Sequence, residues 1–286
     1  LTGTLLGLLS ALSWSCANVT IKTSTRRFGT FAALFASQIA GGLLVLPVAF
    51  AVEGRPGCID GRTALMIGLA AVSACLAYGG LFAAFRRGPV AVLTPVVSAW
   101  TLISVAIGVA LFGEALTAGQ GVGVVLVLAG NTLLAVFGTR RRPGGEPGGS
   151  GGIAAAALSA LGFGVMTPAI DAVGESIGAL WTVPAVWVVE LALFVPLALA
   201  LGLVRAWPRS VRDWCVVSAP GIFEVIGFVA IVVALGLAPI AAVAPASSLS
   251  TALTIVLGMG LLKERMSRPA LAGAFLAAAG VVAVNL

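Results

Sequence analysis

Across 286 residues, 60% are hydrophobic, only 9% are charged and histidine is absent. That apolar excess is more than a soluble core of this length buries, so an ordinary water-soluble domain is excluded. A net charge of +6 would suggest nucleic acid in a soluble chain, but in a membrane chain it has to be read loop by loop.

A helix needs about 20 apolar residues to cross a hydrocarbon core of roughly 30 Å. Runs of that kind predict ten spans, at 2–22, 29–52, 63–85, 89–112, 118–138, 152–173, 178–202, 213–235, 239–262 and 269–286. The first has no basic residues ahead of it and carries Trp14 and Asn18, so it is read as a span rather than a secretory signal. Connections are short, which leaves almost no chain for a soluble domain. The predicted fold is an all-α membrane bundle, because helices satisfy their own backbone hydrogen bonds in lipid.

Fourteen of the sixteen cations, from Lys22, Arg26 and Arg27 through Arg140, Arg141 and Arg142 to Arg268, fall on one side of that bundle, and only Arg55 and Arg62 on the other. The positive-inside rule makes the fourteen cytoplasmic and both termini extracytoplasmic. The expected partner of the basic surface is thus the bilayer, not nucleic acid. Sparse Lys with abundant Arg, Ala and Gly suggests a GC-rich bacterial source, hence a bacterial cytoplasmic membrane. Cys16, Cys58, Cys75 and Cys215 show neither metal-site nor disulfide spacing, so no metal is expected.

The chain repeats itself. "RRGPVAVLTPVVSAWT" aligns with "GLAPIAAVAPASSLST", which pairs Pro89 with Pro239, Pro95 with Pro245, Ser98 with Ser248, Thr101 with Thr251 and, further on, Glu114 with Glu264. With the offset slipped by one, "LLSALSW" answers "AALSALGF", placing Trp14 on Phe163, and Pro47 falls on Pro196. Two five-span repeats are predicted, 1–138 and 152–286, joined by a flexible Gly-, Pro- and Arg-rich linker at 139–151. Five is odd, so the second repeat enters the membrane from the opposite side. Such inverted repeats rock about a central site in alternating-access transporters.

Proline-containing fourth and ninth spans followed by "LFGEALTAGQGVGVVLVLAG" and "GLLKERMSRPALAGAFLAAAG" resemble the paired EamA domains of the drug/metabolite transporter superfamily, over essentially the whole chain. The resemblance implies a small-molecule carrier, often an exporter, of amino acids, metabolites, amines or toxic compounds. It also implies cytoplasmic termini in many ten-span members, against the charge count here.

Candidate site residues follow from what lipid forbids. Glu224, deep in the eighth span, costs several kcal/mol if it faces lipid, so it faces protein or a cavity. There it is either a proton carrier, a counter-charge for a cationic substrate, or a helix-to-helix hydrogen bond. Pro220 and Gly221, just ahead of it, predict a kinked or broken helix. Glu190 lies one turn from Trp187, and cavity lining and helix bonding are both open for it. Ser98, Thr101 and Ser104, with Ser248, Thr251 and Thr254, form two hydroxyl stripes that either glue helices or touch substrate. Trp14, Asn18, Tyr78, Trp100 and Phe163 either line a central cavity or pack. Pro95 and Pro245 are candidate gating prolines, and Glu114 and Glu264 read as structural or gating residues at helix ends.

Nothing in the pattern carries catalysis. No phosphate-binding loop leads to a P-loop lysine, and Ser and Thr stand without His, so no cofactor or ATPase activity is expected. The expected function is secondary transport of a small molecule, proton-coupled through Glu224 and Glu190. An uncoupled facilitator and a non-transporting, lipid-handling membrane protein are the alternatives.

Overall fold

A computed structural model describes residues 2–112, 117–137, 150–203, 207–237, 243, 246–247 and 249–284. Among them the chain is helical, in the order α1 (Thr2–Phe28), α2 (Thr30–Glu53), α3 (Gly61–Arg87), α4 (Val90–Ser98), α5 (Trp100–Phe112), α6 (Ala118–Phe137), α7 (Ser150–Ile177), α8 (Ala179–Ala200), α9 (Val211–Leu237), α10 (Ser250–Gly260) and α11 (Arg268–Val284). Glu114, Pro245 and Ser248 lie outside the described residues, as does most of the expected linker; its last residues, Ser150 and Gly151, open α7.

Six helices, α1, α2, α3, α7, α8 and α9, are long and apolar enough to cross a membrane. The fourth expected span is divided. Pro95 has no N–H to give the carbonyl of Ala91, and one turn later the helix stops: Ala99 turns back on Val96 and α5 starts at Trp100. The carbonyl of Ser98 at this break accepts from the Thr101 hydroxyl at 3.1 Å. In the eighth span, where a kinked or broken helix is expected, α9 stays helical through Pro220.

Helices pair in a pattern that exchanges the two halves. α3 packs along α7 as α1 packs along α9, α2 lies on α9 as α8 lies on α3, and α6 pairs with α11. Small residues make the closest pairings possible, since lipid supplies no hydrophobic drive between helices. At Gly80 a Cβ would sit 2.7 Å from Ser159 N, and the Ser159 hydroxyl donates to Ala77 O at 2.7 Å. The basic ends of α1 and α9 meet in an Arg27–Asp213 ion pair. At the opposite end the Glu53 carboxylate accepts from Leu180 N at the start of α8, and Asp60 caps α3 by accepting from Thr63 N at 2.7 Å. Hydrogen bonding from Thr63 holds the exposed Asp60 carboxyl below its ordinary value.

Candidate functional site

Where α1, α3, α7, α8, α9 and α10 converge with the α4–α5 break, they leave a cavity of about 320 Å³. Its wall is mostly apolar and strongly aromatic: Trp14, Tyr78, Phe85, Trp100, Phe163, Trp187 and Phe228 come from six different helices. Tyr78 and Phe163 stand edge to face, their centroids 5.1 Å apart. Asn18, Thr94, Ser98, Thr167, Ser250 and Thr251 add polar points, and Glu224 is the one charged side chain among the described lining residues.

Of the residues singled out from sequence, Trp14, Asn18, Tyr78, Ser98, Trp100, Phe163, Trp187, Glu224 and Thr251 are brought together around this cavity. Glu224 is half-buried, its Oε1 accepting from the Tyr78 hydroxyl at 3.1 Å. Ser98 and Thr251 hydroxyls bond to each other at 2.8 Å across the junction of α4 and α10. Asn18 Nδ2 donates to Thr254 Oγ1 at 3.2 Å.

The structure places four other candidates elsewhere. Thr101 is buried at the α4–α5 break, away from the cavity wall. Pro220 and Gly221 lie beside a separate void of about 10 Å³, shared with Ser37, Gln38, Tyr78, Trp187 and Glu224. At Gly221 a Cβ would collide with Ser37 O, so the glycine serves the close approach of α2 to α9. Glu190 has 0% exposure, its Oε2 accepting at 2.8 Å from Nε2 of Gln38, which lines this void. Among the described residues its Oε1 has no hydrogen-bond partner. Trp187, one turn away, lines both this void and the main cavity and packs its ring against Gly41.

Two further residues escaped the sequence reading. Gln38 is an amide set in the middle of the apolar run "FASQIAGG", a signal comparable to the buried acids. Lys22, counted above as a loop cation, is only 4% exposed. One turn beyond Asn18, its Nζ donates to Gly88 O at 2.7 Å and pairs with Glu264 Oε1 at 3.1 Å. Glu264 also accepts from Val90 N and Ala91 N at 2.9 and 2.8 Å, so it caps α4 from the end of α10. A carboxylate suits a helix N-terminus, where unpaired N–H groups and the dipole present positive charge. This knot joins α1, the α3–α4 corner and the α10 end just beyond the cavity residues Asn18 and Thr94.

The EamA-like transporter family model matches residues 1–136 and 150–286. An uncharacterized transporter from Archaeoglobus fulgidus is 25% identical over 289 residues, spanning 95% of this chain and 93% of that protein. A solved structure titled only "Crystal structure of protein" superposes with a TM-score of 0.65 at 19% identity, over 99% of this chain and 98% of that one. At that identity the likeness concerns the fold.

Proposed function

Since the chain belongs to the EamA-like transporter family and is an integral membrane transporter, we propose that it moves a small molecule by alternating access, as a secondary exporter coupled to protons. The observation that carries this reading is the 320 Å³ cavity, walled by helices from both matched segments and holding a single carboxylate. A site at the seam between halves is reached from either face when the halves rock. The exchange of helix pairings between halves, α3 with α7 against α1 with α9, supports inverted five-helix repeats at 1–138 and 152–286.

In this mechanism Glu224 binds substrate and proton in turn, Tyr78 orients its carboxyl, and the aromatic wall holds the substrate's apolar body. Glu190, behind Gln38, is the second acid of the coupling path. The Lys22–Glu264 knot closes the cytoplasmic end, and both termini lie outside, as the distribution of cations supports. Nothing in this cycle asks for a cofactor or a bond-breaking step.

The test is flux in proteoliposomes across a panel of labelled amino acids, amines and small drugs, with and without a pH gradient. Saturable uptake that follows the gradient, and loses that dependence in Glu224→Gln, is expected. Saturable uptake indifferent to the gradient would make the protein an uncoupled facilitator; no saturable flux for any compound would favour the lipid-handling alternative.

A further inference from the structure

The groups lining the cavity are unequal toward ligands of opposite charge. Several of its hydroxyl and amide donors are already committed, and none of them carries a charge. Thr94 donates to Val90 O, Thr167 to Phe163 O and Tyr78 to Glu224, while Ser98 and Thr251 share one hydrogen bond and Asn18 gives one N–H to Thr254. No Lys or Arg stands among the described lining residues. The nearby cation Lys22 is bonded to Glu264 and Gly88 beyond the wall. An anion, or the carboxylate of a zwitterion, would meet no countercharge among the described lining residues, and a charge in an apolar site is costly without one.

A cation meets the reverse situation. Tyr78 occupies Glu224 Oε1, and none of the described residues is bonded to Oε2. The same cavity is lined by Trp14, Trp100, Trp187, Phe163 and Phe228, and aromatic rings attract cations as well as apolar surface. The volume of about 320 Å³ lies at the small end of ligand cavities. We infer that the substrate class is a monovalent organic cation with a compact aromatic or aliphatic body, an amine rather than an amino acid or an organic acid. The inference rests on the transport reading above, which leaves the substrate open.

A matched series isolates the charge: phenethylamine, phenylalanine, 3-phenylpropionate and 3-phenylpropanol share a phenyl body and differ in head group. Binding to the purified full chain in detergent is followed by thermal stabilisation, which reports affinity for the folded state. Phenethylamine is expected to bind at least about tenfold more tightly than phenylalanine or 3-phenylpropionate, a gap of about 1.4 kcal/mol. Glu224→Gln should reduce that preference to parity with 3-phenylpropanol, and Glu224→Asp, which keeps the charge, should retain it. The Asp variant guards against a Gln variant that merely fails to fold. Equal binding of phenylalanine or 3-phenylpropionate, or no binding of the amine, overturns the substrate class. Counterflow of labelled phenethylamine then separates the two claims: preferential binding without exchange upholds the class and defeats the transport reading, whereas exchange of phenylalanine as fast as the amine does the opposite.

Discussion

Substituting Glu264 by alanine strands three donors at once: the Lys22 ammonium and the backbone N–H groups of Val90 and Ala91. Lys22 is 4% exposed and also donates to Gly88 O. Removing one partner of a buried pair costs about 3–5 kcal/mol, chiefly because the other charge stays buried. Lys22→Met is milder, since Glu264 then retains two charge-assisted bonds at the α4 N-terminus; about 2 kcal/mol is expected. In the double variant Lys22→Met with Glu264→Ala, neither charge of the pair remains. Its loss should fall short of the sum of the singles by roughly 1–3 kcal/mol, the coupling of groups in direct contact. The assay is equilibrium unfolding in mixed micelles of mild detergent and dodecyl sulfate, followed by tryptophan fluorescence. A Glu264→Ala variant within about 0.5 kcal/mol of wild type, or additive losses in the double variant, would refute this account of the knot.

Three other outcomes follow from the geometry. Gly80→Ala places its Cβ against backbone of α7, so a loss of about 1–3 kcal/mol is expected in the same unfolding assay, with Gly68→Ala, which meets open space, as the neutral control. Gln38→Leu removes the one donor described for Glu190 and should cost about 1–3 kcal/mol, while Gln38→Leu combined with Glu190→Leu recovers part of that loss. Asp60→Ala should loosen the start of α3, detectable as faster amide exchange at Thr63 and Ala64. Because the Asp60 carboxyl titrates below its ordinary value, its contribution is complete above the unfolded value near about 3.9 and fades as pH falls through the folded one; the variant and wild type should therefore converge in acid.

The membrane class and the helical spans were legible because lipid imposes a single demand, length and apolarity, that needs no knowledge of neighbours. Nine of the cavity-lining residues were legible for a related reason: Glu224, Asn18 and the tryptophans are conspicuous inside apolar helices. Polar partners were harder. Gln38 meets Glu190 across 152 residues, and Val90 meets Glu264 across 174, so no local pattern joins them. Lys22 misled for the same reason, since a cation near a helix end reads as a loop charge until its buried partner is seen. Pro95 and Pro220 make the same local prediction, yet only the helix of Pro95 ends within a turn, where Thr101 is placed to satisfy the freed Ser98 carbonyl.

The most direct test of alternating access is two-sided labelling of the cavity. In a cysteine-free background, Ser98→Cys is exposed to an impermeant maleimide in right-side-out and in inside-out vesicles, with and without a Lys22→Cys, Glu264→Cys pair cross-linked across the knot. The account predicts labelling from both faces in the open protein and loss of cytoplasmic labelling alone once the knot is locked. Labelling from both faces that survives the lock, or from neither face at any time, would contradict it.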